Sequence, residues 1–287
     1  MRTPSRRRSE ARTGLDGIRQ RHRRRPRDRR HEACDHRSRP RKGCRSRPGR
    51  SDANGRSRSD IRLGLRIVAA MAHPRSPAGR ARRTHELLAI EYPGRALDLC
   101  ELNHTNPFEL LAATILSAQC TDARVNLVTP ALFARYPTPE DLAHAEPAAV
   151  EELIRSTGFY KNKTKSLIGM ANALIDRYGG EVPTAMAEWV TVPGVGRKTA
   201  NVVRSVAQGL PGLPVDTHVL RLSRRLGLTT EVDPVKVEHV LGAMVPATER
   251  GEFSLRVILH GRRVCTARKP ACDRCVLADF CPSAGHI

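Results

Sequence analysis

Four cysteines crowded near the C-terminus, Cys265, Cys272, Cys275 and Cys281, limit what this chain can fold into more than any other feature. The spacing Cys-x6-Cys-x2-Cys-x5-Cys puts four thiolates within 17 residues, so that all can close on one inorganic core. Pro270 and the short spacers predict a compact loop there rather than a helix through the ligands. Four thiolates also build tetrahedral structural zinc sites. Those usually use two Cys-x2-Cys-like pairs, whereas this run has one, so the spacing favours an iron–sulfur cluster and leaves zinc as the alternative. A disulfide framework is the poorer reading, because the opening MRTPSRRRSE carries charge without the apolar segment of a secretory signal. Of the other cysteines, Cys100 reads as a core thiol. Cys34 and Cys44, with His31 and His36, lack the spacing of a zinc site.

Charge is distributed unevenly. Residues 1–70 hold 24 Lys and Arg against 7 Asp and Glu, a net +17, while residues 71–287 hold 26 against 22, a net +4. The body is only mildly basic, which fits a nucleic-acid binder without demanding one. Residues 1–75 are rich in Arg and Ser and poor in apolar residues, so they are expected to be a disordered tail that cannot offset its ordering entropy. Three readings stay open for it: a phosphate-gripping arm, a targeting segment disfavoured by five acidic residues among the first 35, and sequence upstream of a working start at Met71.

From residue 76 onward the pattern is helical. Thr105-Asn106-Pro107 reads as a cap followed by a helix start, and Phe108, Leu111 and Ile115 form one stripe. Further helices are expected over 123–136, 149–156, 162–178, 183–190, 197–208, 217–226, 234–244 and 254–260, with turns such as Tyr136-Pro137-Thr138-Pro139 between them. Strand-type alternation is nearly absent, so the predicted class is all-α with short loops. No stretch approaches the ~18 apolar residues of a membrane span.

Two further segments carry chemistry. In Val192-Pro193-Gly194-Val195-Gly196-Arg197-Lys198-Thr199-Ala200 an apolar helix end, a tight turn and a new helix start follow in order. The glycines permit positive φ and close approach, and the free N–H groups of the new helix suit a phosphate. A bare Pro-Gly-x-Gly would read as an ordinary helix connection. In Val215-Asp216-Thr217-His218-Val219, Asp216 sits where a helix begins and reads first as an N-cap, a role compatible with a catalytic one.

Together, in this order and spacing, the hairpin, the VDTHV segment and the cysteine run resemble the endonuclease III family of bacterial DNA N-glycosylase/AP lyases for oxidised pyrimidines. The resemblance covers residues 80–285 and includes Leu116-Ser117-Ala118-Gln119, Gly158-Phe159-Tyr160-Lys161-Asn162-Lys163 and His260-Gly261-Arg262; Cys120 departs from the small non-thiol residues usual there. It implies two helical lobes with a helix-hairpin-helix. A six-helix barrel would span residues 100–210, and a [4Fe-4S] cluster domain would combine 76–99 with 211–287. It implies Lys198 as nucleophile and Asp216 as its acidic partner, with Cys265, Cys272, Cys275 and Cys281 as cluster ligands. Gln119, Gly194, Val195, Gly196, Arg268 and Lys269 are the implied DNA contacts, with Gln119 filling the gap left by a flipped nucleotide. Double-stranded DNA with damaged pyrimidines or abasic sites is the implied partner of a monomeric, cytoplasmic, nucleoid-associated bacterial enzyme.

The implied chemistry explains the residue types. An amine attacking C1′ can leave an imine, whereas an activated water cannot, so a lysine separates a lyase from a simple glycosylase. The first turn of a helix and desolvation are both expected to disfavour its ammonium form. An adenine glycosylase of the same superfamily would lack this lysine and carry an extra C-terminal domain, whereas this chain runs six residues past Cys281. A non-enzymatic DNA-binding module would need neither Lys198 nor Asp216. A ferredoxin-like electron carrier would need no long helical body.

Overall fold

Small polar residues and prolines start most of the helices, as the sequence pattern requires. The computed structural model describes residues 73–286; the expected disordered tail up to residue 72, with Cys34 and Cys44, lies outside the described residues. Twelve α-helices follow in order: α1 (Pro77–Glu91), α2 (Ala96–Leu99), α3 (Pro107–Leu116), α4 (Asp122–Arg135), α5 (Pro139–Ala143), α6 (Pro147–Ile154), α7 (Tyr160–Tyr178), α8 (Met186–Trp189), α9 (Arg197–Val206), α10 (Thr217–Arg225), α11 (Pro234–Met244) and α12 (Arg250–Arg263). No strand occurs among the described residues, in agreement with the all-α expectation. None of the described helices is long and apolar enough to cross a membrane. Ser76, Asn106, Thr121, Thr138, Asp216 and Asp233 each cap a helix with a side-chain oxygen, satisfying first-turn N–H groups that have no intrahelical acceptor.

The differences from the sequence pattern have local causes. The segment expected as helix over 183–190 contracts to α8, because the Gln208 side-chain amide donates to the carbonyls of Val182 and Pro183 (3.3 and 2.9 Å) and holds that stretch extended. The helix expected over 254–260 extends to Arg250–Arg263, since its ends are polar and give no apolar periodicity. Helices α2 and α5 are too short to show a stripe, although Thr138 and Asp141 form a capping box on α5.

Two helices are buried on nearly every side, and the rest arrange around them. In α3, Phe108, Leu110, Leu111, Ile115 and Leu116 are all buried, and α3 packs on α4, α7 and α9. In α12 every residue from Phe253 to Gly261 is buried, and α12 packs on α1, α2, α9 and α10. Helix α9 touches both groups and lies close to α12, where a Cβ on Gly251 would come 2.7 Å from Ser205 Cβ. Burying a leucine stabilises by roughly 2–3 kcal/mol, so these two helices anchor the elements that carry the polar site. The one buried arginine of α12, Arg256, is satisfied by donating to the carbonyls of Tyr92 and Gly94 (3.1 and 2.8 Å).

Candidate functional site

In the turn between α8 and α9, Gly194 uses the positive φ and close approach that the sequence suggested, whereas Gly196, at φ −95°, uses neither. The Val195 N–H donates to the Val192 carbonyl (3.1 Å), and the Val195 side chain is buried as the anchor of the turn. Gly194 has φ +76°, and a Cβ there would sit 2.7 Å from Ser166 Cβ on α7. Gly196 caps α9 with no side chain, and a Cβ on it would meet nothing within 4 Å. The N–H groups of Arg197, Lys198 and Thr199 have no acceptor among the described residues, the arrangement that receives an anion. Gly194→Ala is expected to cost about 1–3 kcal/mol, read as a lower urea midpoint, because left-handed backbone strain and the Ser166 contact act together. An unchanged midpoint would mean that α7 does not hold this turn.

Lys198 lies in the first turn of α9 and Asp216 caps α10. Asp216 Oδ1 accepts from the N–H groups of His218 (2.8 Å) and Val219 (2.9 Å), which bears out the capping expectation. The loop joining the two helices is clamped to α9. Asn201, one turn beyond Lys198 and 2% exposed, accepts from the Leu213 N–H (3.3 Å), and a Cβ on Gly212 would approach the Asn201 carbonyl to 2.5 Å. Ser254 of α12 donates to the Pro214 carbonyl. The two helix starts are thus tied to each other by a hydrogen-bonded loop that is buried from Gly212 to Val215. Lys198 itself is exposed and makes no ion pair or hydrogen bond among the described residues. The fold by itself therefore leaves this side chain open to solvent.

The Gln119 loop carries backbone strain. Among the described residues only Gln119 (φ 53°) and Phe159 (φ 48°) are non-glycine residues with positive φ. Both are exposed, and Phe159 is 64% exposed. A strained, solvent-facing aromatic is costly unless it meets a partner. In the sequence Phe159 stands only as part of a motif, since a left-handed backbone angle has no sequence signature outside glycine. Lys163 fixes its turn: this buried lysine donates from Nζ to the Thr157 carbonyl (2.8 Å), and burial lowers its pKa. Cys120, next to Gln119, is half-buried against the core.

The cysteine run forms a loop with only single 3-10 turns, at Cys272–Arg274 and Ala278–Phe280, as Pro270 and the spacers predicted. All four sulfur-bearing residues line one apolar pocket, walled by Leu222, Leu226, Val264 and Leu277. Four thiol-bearing residues around one apolar pocket are a donor set that fits an iron–sulfur core. Burial pushes the Cys275 thiol up to about 11 and the Cys281 thiol upward, so these sulfurs need compensating positive charge to persist as thiolates. Arg225 supplies some from one side, donating to Cys265 Sγ (3.2 Å) and to the carbonyls of Thr266 (2.8 Å) and Ala267 (2.9 Å). These bonds, with Thr266 Oγ1 donating to the Lys269 carbonyl (2.7 Å), frame the loop on which Arg268 and Lys269 stand exposed.

The segment His260-Gly261-Arg262, at the end of α12, joins the parts. His260 Nε2 lies 3.2 Å from Cys275 Sγ, and burial pushes its imidazole down to about 4. A Cβ on Gly261 would sit 2.9 Å from His218 Cβ, so glycine lets α10 and its cap Asp216 lie against α12. Arg262 donates to Asp122 Oδ2 (2.7 Å) at the start of α4 and pairs with Glu101, tying the Gln119 loop to the same helix. Arg221 of α10 bonds the carbonyls of Gly261 and Cys265 (both 3.0 Å) and approaches His218 Nδ1 (3.0 Å), so the Asp216 helix rests on the cysteine loop.

Comparisons with known proteins agree on one family. A family profile described as HhH-GPD superfamily base excision DNA repair protein matches residues 112–247, and one described as iron-sulfur binding domain of endonuclease III matches residues 265–281. The chain is 51% identical over 214 residues to endonuclease III of Synechocystis sp., covering 73% of this chain and 96% of the relative. It is 48% identical over 183 residues to that of Bacillus subtilis, covering 63% of this chain and 84% of the relative. A solved structure, a trapped endonuclease III–DNA covalent intermediate in an estranged-adenine complex, matches with a TM-score of 0.68 and 44% identity, covering 72% of this chain and 96% of that one.

Proposed function

Since the chain belongs to the endonuclease III family, and is a base excision repair DNA glycosylase and AP lyase with an iron–sulfur cluster, we propose that it removes oxidised pyrimidines from duplex DNA through a Schiff base on Lys198. The observation that carries this reading is the clamped pair of helix starts. Lys198 and Asp216 each open a helix, and Asn201, Gly212 and Ser254 hold the loop between them. The relative was trapped as a covalent DNA intermediate, and the lysine here stands exposed where a flipped nucleotide can reach it.

The steps follow from these residues. The neutral Lys198 amine attacks C1′ of the damaged nucleotide, the C1′–N bond to the base breaks, and the base leaves. The Asp216 carboxylate stabilises the positive charge that develops on the sugar. One amine proton passes to the departing base and the other to O4′ as the sugar ring opens, giving an imine that acidifies C2′–H. Removal of that proton breaks the C3′–O3′ bond, leaving a 5′-phosphate on the downstream strand. Hydrolysis of the imine frees Lys198 and an unsaturated aldehyde. Because the protein leaves the Lys198 amine in water, the bound DNA supplies its desolvation.

The remaining residues hold the duplex. The first-turn N–H groups of α9, presented by Gly194, Val195 and Gly196, receive a backbone phosphate, and Arg268 and Lys269 grip others. Gln119 fills the space vacated by the extruded nucleotide, and Phe159 stacks into the same distorted step from the second strained loop. Cys265, Cys272, Cys275 and Cys281 hold a [4Fe-4S] cluster, which folds their loop and presents the two cations. DNA lies between a barrel spanning 100–210 and a cluster domain made of 76–99 with 211–286, the two groups that α9 joins.

The iron-loaded enzyme on a duplex carrying one thymine glycol tests this reading. Strand ends are resolved by gel and mass spectrometry. The expected products are free thymine glycol, a 3′-unsaturated aldehyde and a 5′-phosphate. A nick bearing a 3′-hydroxyl, or base release that leaves an intact abasic strand, would contradict it.

A further inference from the structure

A buried relay reaches Cys275 from α12. His260 is 1% exposed, its Nε2 lies 3.2 Å from Cys275 Sγ and its Nδ1 lies 3.2 Å from the Tyr92 hydroxyl. A thiolate bound to iron can only accept, so Nε2 carries the proton and donates. Nδ1 of the neutral ring is then an acceptor, and Tyr92 donates to it. The roles along the chain are therefore forced: Tyr92 O–H to His260, His260 N–H to Cys275.

Tyr92 is held in place independently of that bond. Its carbonyl accepts from Arg256 Nε (3.1 Å), the Arg263 guanidinium lies over its ring at 5.7 Å, and the ring meets the His260 imidazole edge-on with centroids 6.0 Å apart. Tyr92 directly follows α1, so the end of the first described helix supplies the far end of the relay. The donor to Cys265, Arg225, ends α10 and is only partly buried, so water can reach that bond. No water can reach the buried His260 to do the same.

We propose that His260, with its ring fixed by Tyr92, is a positioning residue that donates a buried hydrogen bond to the Cys275 thiolate and thereby raises the reduction potential of the cluster. The proposal rests on the reading of Cys275 as a cluster ligand. A donor to a ligating sulfur stabilises the more negative, reduced cluster, so its loss lowers the potential. The dry site enlarges the effect, because nothing screens the bond.

The test compares potentials of purified holoenzymes at equal iron content, by spectroelectrochemical titration. His260→Phe keeps a ring against Tyr92 but has no N–H, and a potential below that of the parent protein is expected. His260→Gln can donate an amide N–H to sulfur and is expected to recover part of the shift. Tyr92→Phe removes only the hydroxyl and is expected to give a smaller downward shift. A fourth measurement needs no substitution: pulsed EPR on the paramagnetic cluster, with histidine labelled by 15N, is expected to show nitrogen coupling to the cluster in the parent protein. Loaded His260→Phe and Tyr92→Phe proteins with unchanged potentials, or absence of 15N coupling, would overturn the proposal. A colourless, iron-free parent protein would instead overturn the ligand reading beneath it.

Discussion

Lys198→Gln is expected to lower both base release and strand cleavage by roughly 10,000-fold or more, because the nucleophile of a covalent mechanism is removed. The substitution should leave the protein intact. Lys198 is exposed, forms no ion pair or hydrogen bond among the described residues, and lies on a helix whose buried face is built by Ala200, Val202, Val203 and Val206. Glutamine is also a good helix former. The urea midpoint should therefore move by less than about 0.5 kcal/mol of stability, and affinity for abasic duplex should fall by no more than the loss of one charge. Loss of chemistry without loss of fold is the outcome that distinguishes a nucleophile from a structural cation. Single-turnover rates on thymine glycol duplex, with a denaturation curve on the same preparation, measure both. Residual activity within tenfold of the parent enzyme would assign the attack to another group.

Asp216 offers a sharper separation, because one carboxylate has two tasks. As a cap it accepts from the N–H groups of His218 and Val219 through a single oxygen. Asparagine presents an amide oxygen to the same two donors and is an equally good N-cap. Asp216→Asn is therefore expected to keep stability within a few tenths of a kcal/mol while lowering the single-turnover rate by about 100- to 10,000-fold, since the charge that faces the developing oxocarbenium is gone. Asp216→Ala should show the same kinetic loss plus a stability cost of about 1 kcal/mol from the uncapped helix. Equal kinetic and stability losses in the two variants would reduce Asp216 to a cap. A fully active Asp216→Asn protein would remove it from the chemistry.

What could be read from the sequence follows from how far apart the cooperating residues lie. The turn at Val192–Ala200, the cap at Asp216 and the cysteine loop are each contiguous, and local rules for glycine, caps and thiolate spacing placed them correctly. The class followed from the absence of strand alternation, and the start and end of α11 from its Asp-Pro opening and apolar stripe. The connections between these pieces were not legible. The clamp of Asn201 on Leu213 and Gly212, the contact of Gly261 with His218 and the ties from Arg262 to Asp122 and Glu101 join residues distant along the chain, and no local pattern encodes them. His260-Gly261-Arg262 was visible as a string, but its three separate roles appear only when α12 is seen between α10, α4 and the cysteine loop. Phe159 escaped notice because its signal is a backbone angle. The exposure of Lys198 ran against expectation, since a helix start alone does not bury a side chain that projects along the surface.

The central claim, a Schiff base on Lys198, is tested most directly by borohydride reduction during turnover on thymine glycol duplex, followed by proteolysis and mass mapping of the DNA-modified peptide. The result expected is one covalent adduct on Lys198, within the peptide containing Thr199 and Ala200, and no adduct in the Lys198→Gln protein. An adduct on another residue, or active enzyme that forms none, would contradict it.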